Sequence, residues 1–379
     1  MSKMHIHRHL LDLVQNRLGE GKAVILMGPR QAGKSTLLAE LVKTTDRKYV
    51  WLDCDEPDIR QRLTNATSTA LRTLVGDASL VLVDEAQRVK NIGLTLKLFT
   101  DKIPDVQLVV TGSSSFELAN EINEPLTGRK FEYLMLPLST AEMTRHHGPL
   151  EESRLLETRL VFGMYPEVVS KPGREAELLK GMATSYLYKD IFTFRDVRKP
   201  EMLEQLLKAL AFQVGGEVSY QELARTVGSD QATVQRYLDL LEKAFVLFRL
   251  PAFSRNLRNE LAKSRKIFFY DNGIRNAIIG NFTPLAARTD IGQLWENFLV
   301  SERVKWLQLN RSHAHRYFWR TTEAREIDWV EESDGQLLAA EFKWSPTRKV
   351  AFPKAFLEAY PNAQMQVVHP ENYLDFLTK

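Results

Sequence analysis

The stretch "AVILMGPRQAGKSTLLAELVK" (residues 23–43) decides the fold of the N-terminal third of the chain. It reads as an apolar strand, a glycine-containing loop and an amphipathic helix. The loop from Gly28 to Ser35 satisfies the pattern G-x-x-x-x-G-K-[ST] in the order strand, loop, helix that the pattern requires. Backbone N–H groups of such a loop, together with the helix N-terminus, face an anion. The stretch therefore predicts a nucleotide-phosphate site.

Individual residues of the loop have separate chemical roles. Gly33 allows the loop to wrap closely around phosphates, Lys34 would reach the β- and γ-phosphates, and Ser35 would ligate Mg²⁺. The guanine-reading segment Asn-Lys-x-Asp is absent from the sequence, so ATP is favoured over GTP. The predicted nucleotide-binding residues of this segment are Gly28, Pro29, Arg30, Gln31, Ala32, Gly33, Lys34, Ser35 and Thr36.

A second apolar run, "SLVLVDEAQRV" (79–89), ends in two acidic residues. Asp84 would hold Mg²⁺, and Glu85 would polarise the water that attacks the γ-phosphate. The alternative is a strand that simply ends at a polar surface. A buried strand followed by Asp-Glu is, however, what the phosphate loop upstream requires, so we predict the catalytic role.

A third such strand, "VQLVVTGSSSFEL" (106–118), leads into Ser113, Ser114 and Ser115. A hydroxyl at the end of this strand is suited to sensing the γ-phosphate, and we take Ser113 as the candidate. An ordinary helix N-cap is the alternative for each of the three serines.

The composition is that of a globular protein without membrane spans. The chain has 379 residues, of which 44% are hydrophobic and 26% charged, which predicts roughly two to four domains. Its apolar runs are too short to span a bilayer, and the N-terminal segment has no apolar signal region. The single cysteine, Cys54, fits a reducing cytosol, so we expect a cytoplasmic protein. A net charge of +3 permits nucleic-acid binding only through a local basic surface.

Five segments resemble one family of predicted bacterial and archaeal ATPases. They are "GPRQAGKST", "YVWLDCDEP", "LVLVDEAQ", "VVTGSSS" and "PLTGRKFEYLMLPLS". The family is the AAA+ group (AAA family 14 type) that carries a C-terminal domain of unknown function. The resemblance implies a sheet in which the phosphate-loop strand lies between the strands bearing Asp84 and Ser113. It also implies that Arg129 acts as an arginine finger in a homo-oligomer, with a hexamer as one form. A surface ion pair is the alternative for Arg129.

The middle of the chain is predicted to be helical. Residues 139–198 carry apolar residues at three- and four-residue spacing, and the stripe of Tyr186, Tyr188 and Phe192 indicates core packing. Over 201–250 a helix, a second helix capped by Ser219 and a third capped by Ser229 or Asp230 predict a helix-turn-helix with a wing. Contact with DNA and contact with protein both remain open for this module. The side chains expected to reach a partner are Gln231, Thr233, Gln235 and Arg236.

Near the C-terminus, "REIDWVEESDGQLLAAEFKW" (325–344) reads as two strands joined by a Ser-Asp-Gly-Gln turn. Antiparallel pairing through that turn can bring Asp328 beside Glu341, with Lys343 next to them. Two adjacent carboxylates repel each other unless a divalent cation or a proton lies between them. We therefore expect a hydrolytic site that uses Mg²⁺, or Mn²⁺ in its place.

This segment resembles the PD-(D/E)XK nuclease pattern, which the C-terminal domain of the same ATPase group is expected to share. The resemblance implies a metal site of Glu296, Asp328 and Glu341 with Lys343 as the catalytic cation, and Glu302 competes with Glu296 for the helical position. A polar, half-exposed hairpin face and a scaffold that has lost activity are the alternatives.

The predicted class is α/β, with a P-loop AAA+ parallel sheet core. The predicted boundaries are 1–138 for the ATPase core, 139–200 for a helical lid, 201–252 for a winged-helix module and 253–379 for a nuclease-like domain. Three functions follow as hypotheses. The first is an ATPase that binds and cleaves DNA, the second an ATP-dependent motor on branched DNA without cleavage, and the third a nucleotide-gated signalling switch.

Overall fold

The structure, a computed structural model, describes residues 5–113, 122, 125–184, 199–253, 265–321, 323 and 325–379. The chain divides into two compact units. The N-terminal unit is His5–Pro137 with Lys243–Phe245, and the C-terminal unit is Leu138–Glu242 with Val246–Lys379. Apart from Lys243–Phe245, the segments predicted as lid, winged-helix module and nuclease-like domain lie in the C-terminal unit, and their separation from one another stays a prediction.

The N-terminal unit contains a parallel sheet, as predicted, and helices cover both of its faces. Its strands are β1 (Ala23–Met27), β2 (Tyr49–Asp53), β3 (Leu80–Asp84), β4 (Gln107–Gly112) and β5 (Lys130–Leu134). Its helices are α1 (His9–Gln15), α2 (Lys34–Lys43), α3 (Pro57–Leu63), α4 (Ser68–Val75) and α5 (Ile92–Lys102), with a 3-10 turn at Ala86–Arg88. The predicted α/β class with a P-loop sheet core is confirmed.

Alternate residues of the strands pack into two separate cores. Ile25 and Val83 face a cluster with residues of α3, α4 and α5, whereas Leu26 and Leu82 face a cluster with α1 and α2. Every residue of β3 and β4 is buried. Strands covered on both faces have to be apolar at consecutive positions, which accounts for the uninterrupted apolar runs in the sequence.

The strand order is β2–β3–β4–β1–β5, so one of the two predicted neighbours of the phosphate-loop strand β1 is correct and the other is wrong: β4 lies beside β1, but β5 and not β3 lies on its other side. The strand that leads to Ser113, β4, lies between β1 and β3, and its Val109 pairs with Val24 on one side and Leu82 on the other. The apolar runs of β1, β3 and β4 are so similar that burial alone does not indicate which of them is central. As a result, the end of β4 lies between the phosphate loop and Asp84.

The C-terminal unit begins with a group of helices. They are α6 (Thr140–His147), α7 (Pro149–Arg154), α8 (Leu156–Phe162), α9 (Pro166–Ser170) and α10 (Glu175–Met182). Ser139 and Glu142 form a reciprocal capping box that begins α6. The predicted aromatic stripe of Tyr186, Tyr188 and Phe192 lies outside the described residues.

The next segment alternates helices with a small antiparallel sheet. Its elements are α11 (Pro200–Phe212), β6 (Glu217–Val218), α12 (Tyr220–Thr226), α13 (Gln231–Lys243), β7 (Leu247–Pro251) and β8 (Arg265–Phe269). The order in the sheet is β6–β8–β7, so the sheet extends beyond the predicted boundary at residue 252. Ser219 caps α12 as predicted, and Asp230 accepts the Thr233 N–H at 2.8 Å in front of α13.

The last segment contains the long helix and the predicted hairpin. Its elements are α14 (Asn272–Ile279), a 3-10 turn at Leu285–Ala287, α15 (Ile291–Leu309), β9 (His315–Arg320), β10 (Glu326–Ser333), β11 (Gln336–Phe342), α16 (Lys354–Ala359), β12 (Gln364–Val368) and α17 (Tyr373–Thr378). The sheet order is β12–β11–β10–β9, with only β11 and β12 parallel. Ser333 pairs with Gln336 across the predicted turn.

A buried ion pair connects three of these elements. Arg303 on α15 donates to Glu331 on β10 through Nε at 2.5 Å and Nη2 at 3.0 Å, and to the carbonyl of Phe376 on α17 at 2.5 Å. Glu331 also accepts the indole N–H of Trp329 at 2.7 Å. Because both charged side chains are buried, removing one of them leaves the other without a partner.

We predict that Arg303→Met lowers the free energy of unfolding of the C-terminal unit by about 3–5 kcal/mol. Adding Glu331→Gln should recover part of this loss, because the glutamine still accepts the Trp329 N–H and carries no charge. Lys208→Met, which removes an exposed ion pair with Glu204, should cost at most about 1 kcal/mol. Native-state hydrogen exchange of α15 and β10 measures all three variants. Equal losses for Arg303→Met and Lys208→Met would contradict the prediction.

Candidate functional site

Lys34 lies inside the phosphate loop. It is the first residue of α2, and its side chain is buried. Its ammonium donates to the carbonyls of Gly28 and Pro29, each at 2.9 Å. Burial lowers the pKa of Lys34 to about 8, although the carboxylates of Glu85 and Asp84 act in the opposite direction. A lysine held in this way is positioned to exchange two carbonyl partners for phosphate oxygens.

Two contacts hold the loop against the end of β5. A Cβ atom on Gly28 would lie 2.0 Å from the carbonyl oxygen of Met135, so this position requires glycine. Arg8, in front of α1, donates to the carbonyl of Ala32 in the loop and to that of Leu136, each at 2.7 Å. Sequence reasoning missed Arg8, because nothing in the motif indicates a partner 24 residues upstream.

The two predicted acids lie at the carboxyl end of β3. Asp84 is its last residue and accepts a hydrogen bond from the Thr111 hydroxyl of β4. Glu85 has a left-handed backbone (φ 54°), and its N–H donates to the same hydroxyl at 3.1 Å. Thr111 therefore fixes both the Asp84 carboxylate and the turn that follows it. Sequence reasoning missed Thr111, although its place in "VVTG" at the strand end was a usable signal.

Gln87, in the 3-10 turn after Glu85, joins the two candidate catalytic positions. Its amide nitrogen donates to Glu85 Oε2 at 2.6 Å and to Ser113 Oγ at 2.8 Å. Its amide oxygen accepts the Ser113 N–H at 3.3 Å. Ser113 therefore reaches the same edge as Glu85, while Ser114 and Ser115 lie outside the described residues.

Arg129 precedes β5 and forms an ion pair with Asp101 of α5, at 2.6 Å between Nε and Oδ1. Its side chain is 43% exposed. The contact is the surface ion pair that the sequence left open as the alternative, and the role as an arginine finger stays a prediction.

The hairpin of the C-terminal unit brings together Asp328, Glu341 and Lys343. Lys343 Nζ lies 2.5 Å from Glu341 Oε2 and 3.5 Å from Asp328 Oδ2. The Phe342 N–H donates to Asp328 Oδ2 at 2.7 Å, which fixes that carboxylate. Burial raises the pKa of Glu341, and the negative charge of Asp328 raises it further.

Glu296, on α15, joins this cluster and Glu302 does not. Glu296, Glu326 and Asp328 each place a carboxylate oxygen within 4.8 Å of the others. Glu302 instead accepts the Thr140 N–H at 2.6 Å and pairs with Lys305 at 2.5 Å. Of the two glutamates that the sequence left open, the structure therefore places Glu296 at the cluster.

Glu326 and Lys266 are members of the cluster that sequence reasoning missed. Lys266, on β8, is buried, and its ammonium lies 2.7 Å from Glu296 Oε1 and also pairs with Glu326. Burial alone would lower the pKa of Lys266, but the three neighbouring carboxylates outweigh it and raise that pKa. Burial raises the pKa of Glu296 to about 7, against the effect of Lys266 and with that of Asp328.

Helix α13 presents part of the predicted contact set to solvent. Gln231, Gln235 and Arg236 are exposed, whereas the Thr233 hydroxyl donates to Asp230 at 2.8 Å. The helix therefore has three exposed polar side chains in its N-terminal half.

Comparison with known proteins identifies the N-terminal segment, since residues 20–144 match the AAA domain family (AAA_14). Residues 153–285 and 291–376 match two domains of unknown function, DUF8612 and DUF4143.

Similar proteins span most of the chain. An uncharacterized protein of Mycobacterium tuberculosis is 28% identical over 363 residues, covering 94% of this chain and 78% of its own length. An uncharacterized protein of Haemophilus influenzae is 26% identical over 309 residues, covering 74% of this chain and 75% of its own length. The solved structure of a Walker-type ATPase of Pyrococcus abyssi has a TM-score of 0.50 at 15% identity, covering 73% of this chain and 96% of its own, which shows a likeness of fold.

The AAA domain and its site chemistry make the protein an ATPase. Its loop and the carboxyl edge of its sheet contain a buried lysine and two acids, and ATP is the nucleotide that the family implies. Ser35 and Asp84 supply the hydroxyl and carboxylate oxygens that suit Mg²⁺. Among the helices of the described residues, we find none with the length and apolar character needed to cross a bilayer.

We predict that ATP affinity falls as the pH rises above 8. The Lys34 side chain has to be protonated to pair with phosphate, and burial lowers its pKa to about 8 in the nucleotide-free protein. ATP binding therefore takes up a proton above that pH, and the affinity should fall by up to about tenfold per pH unit. Calorimetric titration with ATP between pH 7 and 9.5 measures this. Lys34→Arg, which stays charged, should show a flat profile, and a flat wild-type profile would contradict the prediction.

Proposed function

We propose that this AAA ATPase binds DNA and cleaves it in a divalent-metal-dependent reaction at the hairpin of the C-terminal unit. One observation carries the proposal, namely the convergence of Asp328, Glu341 and Lys343. The carboxylates of Asp328 and Glu341 both lie within 3.5 Å of the Lys343 ammonium. Adjacent carboxylates with a lysine beside them are the groups that metal-assisted phosphodiester hydrolysis needs.

The chemistry of the donor set suits a hard cation. Glu296, Glu326 and Asp328, with Glu341 next to Asp328 at Lys343, offer carboxylate oxygens, which Mg²⁺ and Mn²⁺ prefer. A cation there would lower the pKa of its bound water and screen the scissile phosphate. The Phe342 N–H orients Asp328, and Lys343 Nζ is positioned to donate to the developing negative charge on a phosphate oxygen.

The charge balance around the hairpin also supports a cation. Two sets of ion pairs meet where the carboxylates of Glu296, Glu326 and Asp328 converge. Together they contain five carboxylates and three cationic side chains, which leaves two excess negative charges when every group is ionised. The carboxylates are those of Glu217, Glu296, Glu326, Asp328 and Glu341, and the cations are Lys266, Arg320 and Lys343. A divalent cation would neutralise this excess, and the raised pKa of Glu296 indicates that a proton partly does so without one.

In this proposal α13 binds DNA and Arg129 acts between subunits of a homo-oligomer. The exposed Gln231, Gln235 and Arg236 of α13 would contact DNA, since a second helix of this kind is the usual reading element of a helix-turn-helix. Arg129 would leave its ion pair with Asp101 to reach the γ-phosphate of a neighbouring subunit in a homo-oligomer.

We predict that Asp328→Asn lowers the cleavage rate at least about 100-fold, because it removes a charged ligand next to the scissile phosphate. Single-stranded, duplex and branched DNA would be incubated with the purified protein in Mg²⁺ and in Mn²⁺, with and without ATP. Asp334→Asn changes an exposed aspartate in the turn of the same hairpin and should cleave like the wild type. Lys34→Ala in the same assay shows whether ATP controls cleavage.

The outcome separates the hypotheses. Cleavage by the wild type that Asp328→Asn loses supports the proposal. DNA binding without cleavage under any of these conditions contradicts it. Cleavage that Asp328→Asn retains shows that the activity arises elsewhere or from a contaminant, and this result also contradicts the proposal.

A second candidate is an ATP-dependent DNA motor that does not cleave, acting on branched DNA. The observation in its favour is Lys266, whose buried ammonium already pairs with Glu296 and Glu326 and so stabilises the cluster without metal. This candidate expects DNA to stimulate ATP hydrolysis, and equal DNA affinity in EDTA and in Mg²⁺ when no nucleotide is added.

A further inference from the structure

The side chain of Gln87 forms three hydrogen bonds with two neighbours. Its nitrogen donates to Glu85 at 2.6 Å and to Ser113 at 2.8 Å, and its oxygen accepts from the Ser113 backbone at 3.3 Å. A primary amide has two N–H donors and a carbonyl oxygen that accepts, so both donors and the acceptor atom of Gln87 are engaged. The residue thus links the end of β3 to the end of β4.

These contacts determine which hydrogen-bonding atoms of Ser113 and Glu85 remain available to substrate. The Ser113 oxygen accepts from Gln87, so its own hydrogen is left to donate, which is what a group facing a γ-phosphate oxygen has to do. Glu85 accepts through Oε2, so its other carboxylate oxygen is left to accept from the attacking water. An amide at position 87 supports both arrangements, whereas a carboxylate would repel Glu85.

We infer that Gln87 is a positioning residue for ATP hydrolysis, which holds the Glu85 carboxylate as an acceptor and the Ser113 hydroxyl as a donor toward the γ-phosphate. Among the described residues the hydrogen bonds of the Gln87 side chain go to Glu85 and Ser113 and not to Lys34 or the phosphate loop, so we expect it to act on the hydrolytic step and not on nucleotide binding. The inference deepens the ATPase activity of the AAA domain and is independent of the proposed cleavage of DNA.

The test is steady-state ATP hydrolysis by the full-length protein. Gln87→Ala should lower kcat by about 10- to 100-fold and leave the KM for ATP within about twofold. In a Ser113→Ala background the further loss from Gln87→Ala should shrink to less than about threefold, because the two residues act as one unit. Arg88→Ala is the matched control, since Arg88 belongs to the same 3-10 turn and its ion pair within the described part of the chain is an exposed one with Asp55.

A change of charge gives a readout that a merely structural role would not produce. In Gln87→Glu two adjacent carboxylates share a proton as the pH falls, so the acidic limb of kcat should move to higher pH by about one unit or more. Other charged side chains also influence pKa values at this edge of the sheet, namely Asp84 on β3, Lys34 on α2 and Asp53 at the end of β2. They are the same in the wild type and in Gln87→Glu, so they do not cause a difference between the two pH profiles.

Each result supports or overturns the inference. A lower kcat with unchanged KM in Gln87→Ala, and a displaced pH profile in Gln87→Glu, support it. Wild-type kcat in Gln87→Ala, or a raised KM with unchanged kcat, overturns it. If Gln87→Ala fails to bind a fluorescent ATP analogue, Gln87→Glu decides alone because it is isosteric, and an undisplaced pH profile then overturns the inference.

Discussion

The carboxyl ends of the parallel strands β1, β3 and β4 meet at one edge of the sheet, and the ATPase site depends on that alignment. Parallel strands point their C-termini in the same direction, so residues that follow different strands become neighbours although they are far apart in sequence. Lys34 follows β1, Glu85 follows β3 and Ser113 follows β4. The apolar strands are buried on both faces, which leaves these chain turns as the positions where polar chemistry can be placed.

Much of this edge was predictable from the sequence, because its residues lie within short motifs. The phosphate loop and the acids at the end of β3 are specified by spacing alone. The loop lies between β1 and α2 and Asp84 ends β3, while the roles of these residues stay predictions. The central position of β4 was not predictable, since three apolar runs of similar length give no information on lateral order. Arg8, Gln87 and Thr111 were missed for a related reason: each acts through a contact with a separate segment of the chain.

At the hairpin of the C-terminal unit, too, some contacts could be predicted from the sequence and others could not. Side-chain alternation and the turn were enough to predict that Asp328 and Glu341 are neighbours, and the observed register agrees. Glu296 and Glu302 are six residues apart on one helix, which separates them by about 240° around its axis, so only one of them can face the cluster. Lys266 pairs with Glu296 and Lys305 pairs with Glu302, and these ion pairs accompany the observed choice. Lys266 lies on β8, so the sequence of the helix alone does not predict its pairing.

The most direct measurement is ATP hydrolysis by the wild-type protein and by Glu85→Gln, together with ATP binding to both. We propose that Lys34 acts in ATP binding and that Glu85 acts on the attacking water, so the substitution should separate the two functions. We expect Glu85→Gln to bind ATP with wild-type affinity while hydrolysis falls by about 100-fold or more. Hydrolysis at the wild-type rate in Glu85→Gln would contradict the assignment of the catalytic edge.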